Sequence, residues 1–297
     1  MATARTNVRH AGARQRTSSR LVPSPRRLLL HTALAWGAAL MVYPLLWLVS
    51  SSVKPDTEIF TQLGLWPRTF DLANYSEGWS GASQSFTVFF TNSLVITVGC
   101  VIGNILACSA AAYAFARIEF RFKKLWFAVM LSTLMLPHHV TLIPQYVLFF
   151  NLGWVNTYLP LIVPKFLATD AFFIFLMVQF IRTIPRELDD AAAVDGCGPF
   201  RFYLRIVLPL LRPALVTTAI FTFIWTYGDF LSQLIYLTEP GLYTVPLGLR
   251  MFLDSLGGSA WGPMFAMSVV SLIPTFLVFL FFQRKIVEGI STTGIRG

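Results

Sequence analysis

Residues 187–213 read "ELDDAAAVDGCGPFRFYLRIVLPLLRP", a charged and polar interruption between two apolar runs. Pro185 suits the first position of a helix, where its fixed φ fits and its missing N–H is not needed. Glu187, Asp189 and Asp190 then fall in the first turns, where negative charge favours the helix dipole. Leu188, Ala191, Ala192 and Val194 follow. The helix should stop at Asp195-Gly196-Cys197-Gly198, because glycine takes a left-handed cap at little cost. A second short helix from about Pro199 carries Phe200, Phe202, Tyr203 and Ile206. It is interrupted before Pro209, and Pro213 lies at the next apolar entry. The stretch is therefore a helix–turn–helix. One part is acidic, with alanines small enough to admit another backbone; the other is aromatic and basic. Two uses stay open at this point: an amphipathic loop on a bilayer, or a docking piece for a partner.

The rest of the chain says which solvent surrounds that stretch. Of 297 residues, 55% are hydrophobic and 12% are charged, with a mean hydropathy of +0.64. A soluble domain carries about 25% charged residues. So little charge cannot cover a water-facing exterior, and the composition indicates an all-α, polytopic membrane protein. The net charge of +9 then reflects loops held at one membrane face rather than nucleic-acid binding.

Six apolar runs of membrane length are expected, at about 28–50, 88–113, 125–149, 158–181, 213–238 and 263–283. Nineteen of the 23 Lys and Arg residues fall on one side of this scheme. They occupy the N-terminal stretch, the loop after the second run, the 182–212 segment and the C-terminal stretch, so both termini are expected in the cytosol. The N-terminal apolar run, about 22 residues, exceeds a secretory h-region and is expected to be retained. This divides the chain into an Arg-rich arm, 1–27, expected to be disordered; a membrane domain, 28–284; and a C-terminal tail, 285–297. The membrane domain includes an outer loop, 51–87, with Trp66, Tyr75 and Trp79, and the 182–212 cytoplasmic loop. No internal repeat is evident, which argues against inverted-repeat carriers.

Ionisable groups inside apolar runs are costly and mark functional candidates. Asp170 lies near the middle of the fourth run, with Lys165 five residues earlier beside Pro164. Five residues place the two on different helix faces, so they can pair only if the helix breaks. Asp229 follows Tyr227 and Gly228 in the fifth run, with Gln233 beyond. These four residues, Asp170, Asp229, Tyr227 and Gln233, can line a polar path or make hydrogen bonds between helices. Cys100, Cys108 and Cys197 have no metal-ligand spacing. His138 and His139 are adjacent, so no metal site is expected. No Gly-x4-Gly-Lys-Ser/Thr sequence occurs, so ATP is not expected to bind the chain directly.

Asp190-Ala191-Ala192, three residues, Gly196, nine residues, Ile206, one residue, Leu208-Pro209: this spacing resembles the Glu-Ala-Ala motif of permease subunits of binding-protein-dependent ABC importers. Asp replaces Glu at 190, and Cys197 stands where Ala is usual. "SSVKPDTEIF", "NSLVIT", "AAYAFARIEF", "GDFLSQLIYLTEPGLYTVPLGL" and the ending "FFQRKIVEGISTTGIRG" resemble the carbohydrate branch, in particular the second permease of a maltose-type importer. The stretch Tyr227-Gly228-Asp229-Phe230 is similar to a Trp-Asn-Asp-Phe-like segment of that branch. The resemblance covers roughly residues 28–297. It implies a MetI-like fold of six transmembrane helices in a bacterial or archaeal inner membrane and no catalysis by the chain itself. It further implies a second homologous permease, two cytosolic ATPases that supply ATP and Mg chemistry, and an extracytoplasmic solute-binding protein. A sugar or sugar-like solute and membrane lipid complete the set. ATPase coupling is implied for Glu187, Asp189, Asp190, Ala191, Ala192, Asp195, Gly196, Ile206 and Pro209. The rival expectation, a secondary carrier or channel, has no need of the 183–212 element.

Overall fold

The computed structural model describes residues 25–62, 64–253 and 258–294. The expectation of a disordered arm falls almost wholly on residues outside that set. The chain divides into two compact units, residues 1–46 and 47–297. The first contributes most of α1 (Pro25–Ser51), an apolar helix that keeps Pro44 inside it.

In the second unit α1 ends at Ser51 and leads into α2 (Asp56–Ile59) and α3 (Ala73–Ser80). This segment is an ordered cap. Lys54 is fully buried. Its Nζ donates to the carbonyls of Gly64 at 2.6 Å and Gln62 at 3.2 Å. Asn74 Nδ2 donates to the Ser52 and Lys54 carbonyls at 3.2 and 2.9 Å. Asp56 Oδ1 accepts from Gly262 N at 2.6 Å, meeting an orphan donor in the first turn of the last helix. Of the three aromatics singled out here, Trp66 is the most open, 82% exposed. Tyr75 meets Ser52 Oγ at 2.9 Å and Trp79 stacks on Phe90.

α4 (Phe86–Arg117) follows, opened by Ser85, whose side chain accepts from Thr87 N. Its 32 residues span about 48 Å at 1.5 Å per residue, well beyond the roughly 30 Å of a bilayer's hydrocarbon core. Next come α5 (Lys123–Thr133), α6 (His138–Asn151), α7 (Leu159–Phe166) and α8 (Ala171–Arg182). Then α9 (Glu187–Val194) and α10 (Pro199–Phe202) lead through a π-helical turn (Tyr203–Val207) to α11 (Leu208–Leu210) and α12 (Arg212–Tyr227). The chain closes with α13 (Leu231–Tyr236), α14 (Val245–Met251) and α15 (Trp261–Gly294). α7, α8, α12 and α14 all pack on α4. Close approach to α7 needs Gly103: a Cβ there would lie 2.8 Å from the Phe166 ring and 3.0 Å from the Lys165 backbone. Small residues at such contacts let membrane helices meet by van der Waals packing.

Among the described residues four helices are long and apolar enough to cross a membrane, or five if one bent pair counts as a span. They are Arg26–Ser51, Phe86–Arg117, Leu159–Arg182 across its break, and Trp261–Gln283; the bent pair is Pro199–Leu210 with Arg212–Tyr227. The third expected span, 125–149, forms as two shorter helices, α5 and α6, separated at Leu134–Pro137. Pro137 has no N–H to continue a helix and biases Leu136 toward extended backbone. The fifth run also ends early, at Tyr227. At the far end α15 runs on through residues assigned from sequence to a separate tail.

Candidate functional site

The 183–212 element is built by short-range rules. α9 starts at Glu187, two residues after Pro185, with all three acids in its first turn. It ends in a paired cap: Cys197 N donates to Ala192 O at 2.8 Å and Gly196 N to Ala193 O at 3.1 Å. That pattern requires a left-handed residue, and Gly196 has φ +68°. An added Cβ there would touch nothing within 4 Å, so the requirement is conformational rather than steric. Pro199 opens α10. Pro209 cannot donate back to Arg205, and the helix widens into its π-helical turn just before it. A 74° bend then separates Pro199–Leu210 from α12.

Burial divides the predicted coupling residues into two sets. Glu187, Asp190, Ala191, Asp195, Gly196 and Pro209 are exposed. Ala192 is buried in a core cluster with Phe202, Tyr203 and Val207 of the same element, Tyr113 of α4 and Ile181 of α8. Ile206 packs against this cluster, and Asp189 is half-buried. Two apolar side chains flank the turn without cover: Val194 is 88% exposed and Phe200 is 74% exposed. Composition cannot separate Phe200 from Phe202; only the fold shows that one faces out and the other in.

Three side chains of α4 reach this element. Ser109 Oγ lies 2.7 Å from Tyr203 Oη, and Tyr113 Oη donates to Pro199 O at 3.0 Å. Arg117 Nη2 donates to Ile184 O at 2.6 Å and Ile181 O at 3.3 Å, and its Nη1 lies 3.4 Å from Asp189 Oδ2. Reading the sequence for carboxylates missed these three, although polar residues every fourth position in an apolar helix were a usable signal.

A second polar group lies inside the bundle. The helix breaks between α7 and α8, with Ala168 at φ +54° and Thr169 Oγ1 donating to Pro164 O. The break brings Lys165 Nζ to 2.9 and 3.1 Å from the Asp170 carboxylate. Asn104 Nδ2, from α4, donates to Asp170 Oδ2 at 2.6 Å and to Thr222 Oγ1 of α12 at 3.0 Å. The side chains of Lys165 and Asp170 remain 27% and 26% exposed, so the pair faces open space on one side. Asp229 opens α13, its Oδ1 accepting from Ser232 N at 3.2 Å. Gln233 is fully enclosed, donating to Thr226 O at 2.9 Å and accepting from Thr244 Oγ1. Tyr227 is buried and stacked on Phe223. The four predicted pathway residues therefore do not share one surface: Asp170 and Asp229 are half-open, while Tyr227 and Gln233 lie behind.

The chain is similar to known transport proteins. An arabinooligosaccharides transport system permease protein of Halalkalibacterium halodurans is 33% identical over 272 residues, 91% of this chain and 96% of the relative. A trehalose/maltose transport system permease protein of Thermococcus litoralis is 31% identical over 92% of this chain and 98% of its own. A crystal structure of a bacterial ABC transporter involved in the import of the acidic polysaccharide alginate contains a similar chain. Its TM-score is 0.77 at 20% identity, over 86% of this chain and 95% of that one, which supports the fold. Residues 101–291 match the family described as binding-protein-dependent transport system inner membrane component. That match encloses both the 183–212 element and the Lys165–Asp170 break, and with relatives of such coverage the chain belongs to this family.

Proposed function

We propose that the chain forms half of the translocation pathway for a sugar or sugar-like solute and couples to a cytosolic ATPase through residues 183–212. As a member of its family it is a non-catalytic, multi-pass inner-membrane subunit of an ATP-driven importer. The sugar class rests on relatives named for arabinooligosaccharide and trehalose/maltose transport. A second homologous permease, two ATPases carrying ATP and Mg, and a solute-binding protein complete the assembly. Both termini and the 183–212 element lie in the cytosol, on the Lys and Arg bias.

The observation that carries the reading is the exposed face of α9 and its turn. Glu187, Asp190, Ala191 and Asp195 present carboxylates and a small side chain, and Val194 and Phe200 add uncovered apolar area. Such a face suits a cleft lined by basic and apolar groups on an ATPase. Ala192, Asp189 and Ile206 act from beneath, seating the element on its own bundle, while Gly196 and Pro209 shape its two bends. ATP-driven closure displaces the element, and the helices move as bodies between inward-open and outward-open states. Asp170 and Asp229 offer acceptors to sugar hydroxyls along the path, with Tyr227 and Gln233 holding the wall behind them.

The test is co-purification of the chain with a Walker-motif ATPase and its second permease, followed by uptake of oligosaccharides into proteoliposomes. ATP-dependent uptake that vanishes without the binding protein is expected. Oligosaccharide uptake in the absence of any ATPase would replace the reading with a secondary carrier.

A further inference from the structure

Two of the links between the 183–212 element and the bundle differ in kind. One is the main chain, which enters α12 through the π-helical turn and a 74° bend. π-helical turns are frequent at functional sites and are a named cause of helix kinks. The other route is the row of α4 side chains at 109, 113 and 117. Four-residue spacing places them on one face of α4, one turn apart, and each holds a different part of the element. Ser109 meets Tyr203 in the π-helical turn, Tyr113 meets the Pro199 carbonyl at the start of α10, and Arg117 meets Asp189 in α9. Aromatic packing stiffens the middle rung, with the Tyr113 ring centroid 5.2 Å from that of Tyr203. Arg117 is 6% exposed and with the same guanidinium bonds the carbonyls of Ile181, in the last turn of α8, and Ile184, two residues past its end, so α4, α8 and α9 are joined at one planar group. α4 also contacts α7, α12 and α14 and, through Asn104, reaches Asp170 and Thr222.

We propose that Ser109, Tyr113 and Arg117 form a transmission stripe that delivers displacement of the 183–212 element to α4, with Arg117 as the positioning residue for α9. The inference rests on the element being the ATPase-docking piece. Motion then enters the bundle sideways, through side chains on its central helix, and the bent main chain acts as a joint that accommodates it. α4 carries the movement toward the Lys165–Asp170 break, where Asn104 is already bonded.

The experiment uses the whole importer in proteoliposomes and reads solute moved per ATP hydrolysed, with the amount of ATPase co-purified as a control. Arg117→Gln and Tyr113→Phe are expected to retain wild-type ATPase recruitment and to lower transport per ATP about 5- to 10-fold, the range of a modest coupling free energy. Ser109→Ala is expected to show a smaller loss. Arg117→Lys, which keeps the charge but loses the planar fork, should recover part of the ratio. A purely structural role would lower the yield of complex and leave the ratio unchanged, and that result overturns the proposal. Should Arg117→Gln fail to assemble, Tyr113→Phe decides, since it removes one hydroxyl: a wild-type ratio there also overturns it. Absence of ATPase from the wild-type preparation would instead refute the docking reading itself.

Discussion

Two ion pairs in this molecule show opposite ways of placing charge in an apolar chain. Lys165 and Asp170 are five residues apart and meet only because the helix between them opens. Arg117 and Asp189 are far apart in sequence and meet because α9 folds back against the end of α4. The first pair is short, at 2.9 Å, and held from a third helix by Asn104. The second is longer, at 3.4 Å, and its Asp189 oxygen has no hydrogen bond among the described residues. Arg117 gains more from two carbonyls than from its carboxylate partner. A local pair inside the bundle is thus an obligation created by burying charge, whereas the long-range one adds a carboxylate from α9 to a guanidinium already anchored on two carbonyls.

The sharpest way to break the comparison is to leave one partner alone. Asp170→Leu should destabilise the purified protein by about 2–3 kcal/mol, below the 3–5 kcal/mol of a fully buried pair because both groups are about a quarter exposed. The Lys165→Leu, Asp170→Leu double variant should recover most of that loss, as read by thermal unfolding in detergent. Gly103→Val comes next, at about 1–3 kcal/mol from overpacking, since the new side chain meets the Lys165 backbone and the Phe166 ring. Its effect should be non-additive with Asp170→Leu, because both disturb the same break. Gly196→Ala should cost about 1–2 kcal/mol of local stability from its left-handed backbone alone. Gly196→Asn should cost less, and hydrogen exchange across 187–197 would separate the two. Asp189→Ala is expected to be the mildest, at most about 1 kcal/mol for a half-open pair. A loss as large as that of Asp170→Leu would erase the distinction between the two pairs.

What was legible in the sequence follows the range of the forces involved. The glycine end of α9 was readable, and its start to within two residues (Glu187 rather than Pro185), because acids in a first turn and glycine after a last turn act within a few residues. The Lys165–Asp170 pair was readable only as a condition, that the helix must break, because Pro164 permits a break without dictating it. The split of Ala191 from Ala192, and of Phe200 from Phe202, was not readable. Nothing in a short amphipathic helix says which neighbour will cover it. The break in the 125–149 run was not readable, because membrane helices tolerate a proline such as Pro137 when neighbours satisfy the freed carbonyls.

By itself, then, the sequence determined the all-α membrane class, the polar element at 183–212 and the glycine turn within it. Composition and local backbone geometry act without reference to distant residues. Tertiary structure alone decided that Arg117 serves both α8 and Asp189, that Asn104 closes the Lys165–Asp170 pair, and that Lys54 is buried against the carbonyls of Gln62 and Gly64. Each of these satisfies a buried polar group with a partner from another segment, and such partners become available only once the helices have packed.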